Sequence, residues 1–238
     1  MYLREDRNAL VASRRTAGLY HIAIRLPSRQ DLATFLGRTL AAGYPVDGAA
    51  DHGVSEALYL TDPDSNGIEV YIDRPRSEWV WENGQISMMT DALDIRSLLE
   101  SAPEGSGNNF LLPPHTDIGH IHLQIGDLKR GEGFYGDLLG FDVTQRSYPG
   151  ALFLSSGGYH HHVGLNIWGG RGLPPRSDDS PGLESFRISV PDHDSWMVLR
   201  ERVKRPTEGE FSRISETPSL LRLRDADGIS VEVEGPSA

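Results

Sequence analysis

The chain repeats one structural plan three times. Of its 238 residues, the stretches 18–75, 118–168 and 183–238 each read as a short strand, a helix, then several strands. Repetition at this period constrains the fold more than any single motif, because a unit this small buries its apolar face only against another. The first unit opens with Gly18-Leu19-Tyr20-His21-Ile22-Ala23-Ile24, a run of strand formers. A helix is predicted over 31–42, with Ser28 as N-cap, Leu32, Phe35, Leu36 and Leu40 at helical spacing, and Gly43 just past the end. Strands over 56–60 and 67–72 flank the turn Asp62-Pro63-Asp64-Ser65-Asn66-Gly67. The second unit opens at Ile118-Gly119-His120-Ile121-His122, with a helix over 128–139 and strands over 141–144, 151–154 and 161–168. The third has a strand over 183–190, a helix over 195–205 and strands over 219–223 and 229–234. The linker 76–117 holds a helix over 91–101 and then a Gly/Ser/Asn/Pro-rich loop, and 169–182 reads as a surface loop. Such units predict an α+β fold whose curved sheets carry helices on one face.

Composition removes several function classes. With no cysteine, the chain has no disulfide, iron–sulfur cluster, zinc-thiolate site or thiol nucleophile, so any metal is held by His, Asp and Glu. A formal charge of −11 argues against a nucleic-acid surface, which needs clustered Lys and Arg. No apolar run approaches the roughly 20 residues that cross a bilayer. The N-terminus lacks an apolar signal core, so a cytoplasmic location is expected. Neither a Walker loop nor a dinucleotide fingerprint is present.

The segment His52-Gly53-Val54-Ser55-Glu56-Ala57-Leu58-Tyr59-Leu60-Thr61-Asp62-Pro63-Asp64-Ser65-Asn66-Gly67-Ile68-Glu69 carries a specific resemblance. It is similar to the signature of extradiol ring-cleaving dioxygenases of the catechol 2,3-dioxygenase type, in the vicinal oxygen chelate (glyoxalase/bleomycin resistance/extradiol dioxygenase) superfamily. Ser65 departs from it, standing where that signature prefers Gly or Pro. Tyr159-His160-His161-His162-Val163-Gly164-Leu165 resembles the paired-His strand of the same enzymes. The likeness covers nearly the whole chain, strongly over 18–75 and 118–168 and weakly over the third unit. It implies tandem βαβββ modules that pair into metal-binding cups. Two-domain relatives carry four modules, so residues 1–17 read as the remnant of a leading module.

Extradiol cleavage needs a metal held on one face by two imidazoles and one carboxylate, with open positions left for catecholate and O2. Position by position, the resemblance assigns these ligands to His21 and Glu69 in the first unit and His120 in the second. The third unit offers Ser185 in place of the imidazole, so its Glu232 is expected to be structural and the cup to pair units one and two. Ring cleavage also needs an acid–base group and a polar donor for the oxygen-derived anion. The resemblance assigns acid–base work to His161, with His160 and His162 as alternatives in register. It assigns substrate-oxygen contacts to His52 and Tyr59. Strand alternation would put His160 and His162 on one face and His161 on the other. His122 shares a face with His120 and either lines the cup or packs there.

The expected function is a metal-dependent extradiol dioxygenase of aromatic catabolism, using Fe(II), or Mn(II) or another divalent ion, with a catechol-like substrate and O2. A glyoxalase-like redox-inert metalloenzyme and a non-catalytic small-molecule-binding protein are the alternatives. The third unit, lacking a partner, is expected to expose an apolar sheet face that a second subunit covers, giving a homodimer.

Overall fold

The computed structural model describes residues 1–10, 15–103, 111–204 and 211–236. Parts of the expected leading segment (11–14), the linker loop (104–110) and the end of the third helix (205) lie outside them.

The first unit comprises β1 (Gly18–Arg25), α1 (Arg29–Ala41), β2 (Gly48–Asp51), β3 (Ser55–Thr61) and β4 (Gly67–Asp73). Ser28 caps α1 by accepting from the Asp31 amide, and Leu32, Ala33 and Leu36 bury its inner face. β2 was not expected, because Gly-Ala-Ala-Asp carries no strand propensity; pairing with β3 imposes it. In the linker, β5 (Trp81–Glu82) and β6 (Gln85–Ile86) form a small hairpin, β7 (Asp91–Ala92) joins β2, and α2 (Ile95–Glu100) packs beside α1.

The second unit comprises β8 (Asp117–Gln124), α3 (Leu128–Gly131), β9 (Asp142–Gln145), β10 (Ala151–Ser155) and β11 (Val163–Asn166). Only the start of its helix is α; Glu132–Leu138 continues it as a π-helical segment. Gly131 is needed at the junction, since a Cβ there would lie 2.6 Å from Ile125 and 2.8 Å from Leu165. The third unit repeats the plan with β12 (Phe186–Ser189), α4 (His193–Lys204), β13 (Ser212–Glu216), β14 (Leu220–Arg224) and β15 (Ser230–Glu234).

Units one and two share a nine-stranded sheet, ordered β7-β2-β3-β4-β1-β8-β11-β10-β9. Its seam is the antiparallel β1–β8 pair, interrupted by two register shifts. Each half has a helical layer on its outer face. The second unit's core runs into the third: Phe134, Tyr135 and Leu138 form one cluster with Trp196, Leu199, Leu221 and Val233.

The third unit's sheet corrects one expectation. Its apolar residues Leu221, Leu223, Val231 and Val233 are buried. The alternate residues carry charge: Glu232 receives Arg187 at 2.7 Å and Arg222 at 2.9 Å. The open face is therefore a self-paired ionic surface, and it supplies no apolar reason for a dimer. Residues 1–10 contain no strand.

Candidate metal centre and active site

The seam strand builds the centre. On β1, Ala23 is the register partner of Glu69 on β4 and of His120 on β8, so a methyl lies between the two functional side chains. His21 stands two residues earlier on the same strand. Its Nε2 lies 3.0 Å from Glu69 Oε2, and His120 Nε2 lies 3.3 Å from the same oxygen. All three residues are buried, and their ligating atoms fall within 4.8 Å of one another. In the third unit the equivalent register sets Arg187 against Glu232, and the carboxylate is occupied by arginine.

The donor set fits a divalent ion. Burial opposes charge on Glu69, but the imidazoles of His120 and His21 outweigh it and hold its carboxyl well below the usual carboxylate range. Burial lowers His120 to about 4, so its ring is neutral at pH 7, and an ion at Nε2 would displace the proton that faces Glu69. His21 Nε2 is buried and, despite its closeness to Glu69, makes no hydrogen bond of acceptable angle among the described residues. A buried nitrogen left in this way is costly unless something else meets it. Two imidazoles and a carboxylate suit Fe(II), Mn(II) or Zn(II).

A cavity of about 880 Å³ opens over His21 and Glu69, lined also by His52, Tyr59, His161 and an aromatic wall. Tyr59 sits opposite Glu69 in the β3–β4 register. Its hydroxyl donates to His52 Nε2 at 2.6 Å, while His52 Nδ1 donates to the Met89 carbonyl at 2.7 Å. Burial and the nearby Glu69 charge push the Tyr59 phenol well above its ordinary value, so it stays a donor. The linker closes this side: Thr90 bonds the Tyr148 hydroxyl at 2.6 Å, tying the first unit's rim to the second's.

The three consecutive histidines precede β11 rather than lying on it, so strand alternation does not govern them. His161 lines the cavity, its ring 4.1 Å from that of His120. Burial first, then neighbouring imidazoles, hold it well below its ordinary value. His160 turns away from the cavity and meets Asp73, whereas His162 bonds Ser155 Oγ at 2.9 Å. His122 joins the cup wall, 4.9 Å ring to ring from His21, and its buried Nε2 lacks a partner among the described residues. Its ring fits because its register partner is Gly164, where a Cβ would come within 2.9 Å. The outer wall adds Tyr20, Tyr148, Phe153 and Trp168, placed only by tertiary folding.

Ser65, the departure from the signature, adopts φ 68°. Glycine is favoured there because a left-handed residue with a Cβ costs about 1–2 kcal/mol. Asp62 holds the turn by accepting from the amides of Asp64 and Asn66.

Two βαβββ units sharing one curved sheet around such a ligand set define a class, the vicinal oxygen chelate fold. Solved structures agree: a dioxygenase candidate from Bacillus subtilis subsp. subtilis str. 168 superposes with TM-score 0.59 at 10% identity, over 93% of this chain and 63% of that one. Glyoxalase I from Zea mays gives 0.55 at 15% identity, over 94% and 69%. No protein-family model matches the sequence. A catechol-2,3-dioxygenase of Bacillus subtilis (strain 168) is 46% identical over 229 residues, covering 94% of this chain and 78% of the relative. The chain belongs to the vicinal oxygen chelate superfamily, in its catechol-2,3-dioxygenase family.

Proposed function

We propose that the protein is an Fe(II)-dependent extradiol dioxygenase that opens a catechol-type ring with O2. One observation carries this reading: a hydrogen-bonded Tyr59–His52 pair and the His161 imidazole share one cavity with His21 and Glu69, whose ligating atoms lie within 4.8 Å of that of the buried His120. A bound divalent ion would supply positions for both catechol oxygens and for O2. The remaining work belongs to side chains. Tyr59, oriented by His52 and through it by Met89, would turn its one hydroxyl hydrogen from His52 Nε2 to a substrate oxygen. His161 takes a proton from the catechol and returns one to the opened product. The aromatic wall holds the ring flat and keeps water out. Aromatic catabolism in the cytoplasm is the proposed setting.

A glyoxalase-like isomerase would use the same ligand positions with a redox-inert metal, a reading favoured by the fold shared with glyoxalase I. Anaerobic loading with Fe(II), then catechol and air, separates the two. Stoichiometric O2 uptake with a yellow ring-opened product is expected. Iron and catechol bound without O2 uptake would refute the dioxygenase reading.

A further inference from the structure

Behind His161 lies a chain of hydrogen bonds that reaches Asp73 and Arg25, the last residues of β4 and β1. His160 Nδ1 is 2.7 Å from His161 Nδ1, and His160 Nε2 is 2.8 Å from Asp73 Oδ1. Asp73 ends β4, four residues beyond the ligand Glu69. It also receives Tyr159 Oη at 2.9 Å and Arg25 at 3.1 Å. His160 is fully buried, boxed by the rings of Trp79 at 5.2 Å and Tyr159 at 4.0 Å. We propose that Asp73 and His160 are positioning residues which set the tautomer and ring orientation of His161.

The argument is one of proton placement. A carboxylate accepts only, so the His160 nitrogen facing Asp73 carries hydrogen. Burial opposes charge on Asp73, but the hydrogen bonds from His160, Tyr159 and Arg25 outweigh it and keep it ionised. His160 then offers the lone pair of Nδ1. The short Nδ1–Nδ1 contact requires one proton between the rings, and it resides on His161 Nδ1. That leaves His161 Nε2, on the ring that lines the cavity, as a bare acceptor toward a ligand. The same logic makes an orienting carboxylate select the working nitrogen of a catalytic histidine, here through a second imidazole. Among the described residues, the side-chain hydrogen bonds of Asp73 and His160 reach the cavity through His161 and none reaches a proposed metal ligand; the His160 ring also lies 6.1 Å from that of His120, so metal content is read alongside kcat.

The catalytic consequence rests on the dioxygenase reading, but the structural one does not, and the tests are separate. In metal-free protein with 15N-labelled histidine, long-range 1H–15N spectra should show His161 in the Nδ1–H form, with 15N–15N coupling across the His160–His161 bond. Asp73→Asn removes the obligate acceptor, and His161 should move toward the Nε2–H form. His160→Gln leaves Asp73 with Arg25 and Tyr159 and serves if Asp73→Asn does not fold. In iron-loaded enzyme either change should lower kcat about 10–100-fold with metal content and KM retained, as is typical of groups acting through another. Asp73→Glu should recover part of the loss. His161 in the Nε2–H form in the parent, or a tautomer indifferent to both variants, would overturn the assignment. A parent without O2 uptake would end the dioxygenase reading and leave the spectra to decide the relay.

Discussion

Gly119 precedes the ligand His120 on β8 and is the tightest point of the seam. A Cβ there would overlap Tyr71 Oη, stand 2.8 Å from Tyr71 Cζ and 3.2 Å from Arg25 Cβ. Tyr71 has nowhere to go: it is fully buried, and its hydroxyl bonds Tyr159 at 2.7 Å. Gly119→Ala should therefore cost about 1–3 kcal/mol in overpacking. Loss of the displaced hydrogen bond adds about 1 kcal/mol, for a total of about 2–4 kcal/mol. For a chain of this size that lowers Tm by roughly 4–16 °C. Tyr71→Phe removes the overlapping atom, so in that background the same glycine change should cost at least about 1 kcal/mol less. Thermal and urea melts of the parent, both single variants and the double variant complete the cycle. Equal costs in the two backgrounds would refute the steric reasoning.

Three further outcomes are expected. Glu69→Gln and His120→Ala should each abolish metal retention, read by elemental analysis, while far-ultraviolet circular dichroism shows the fold intact; full metal occupancy in either would remove the proposed centre. Tyr59→Phe should lower kcat about 10²-fold at unchanged metal content, the scale of one lost donor to a developing oxyanion; undiminished turnover would release Tyr59 from the mechanism. Burial raises Asp225 from 3.8 to about 6, despite the Tyr135 hydroxyl that bonds it. The folded state thus holds this proton more tightly, so its stabilisation is complete below about pH 3.8, shrinks as pH rises and is gone above about pH 6. The loss is worth about 3 kcal/mol. Asp225→Asn should fall less in stability than the parent between pH 4 and 7 in urea melts, and identical slopes would contradict the burial argument.

Local sequence determined the modules of this protein. Strand formers, caps and breakers act within a few residues, so β1, α1 and the Asp62–Gly67 turn were legible, as was the signature stretch from His52 to Glu69. Tertiary structure decided the rest, for three physical reasons. Pairing overrode propensity at β2 and made a strand of Gly-Ala-Ala-Asp. The β1–β8 register brought His120 against Glu69 across 51 residues of chain, a distance no local pattern encodes. A bend before β11 broke the alternation of His160, His161 and His162 and let adjacent rings touch. Asp73 reads in sequence as part of an ordinary charged turn, because its partner His160 lies 87 residues away. His122 carried the one usable hint, its period-two spacing from His120, but whether its nitrogen would find a partner depended on the glycine that β11 sets beside it. Residue identities supply donors and acceptors; only the packed sheet decides which of them are buried together and which are left for a ligand.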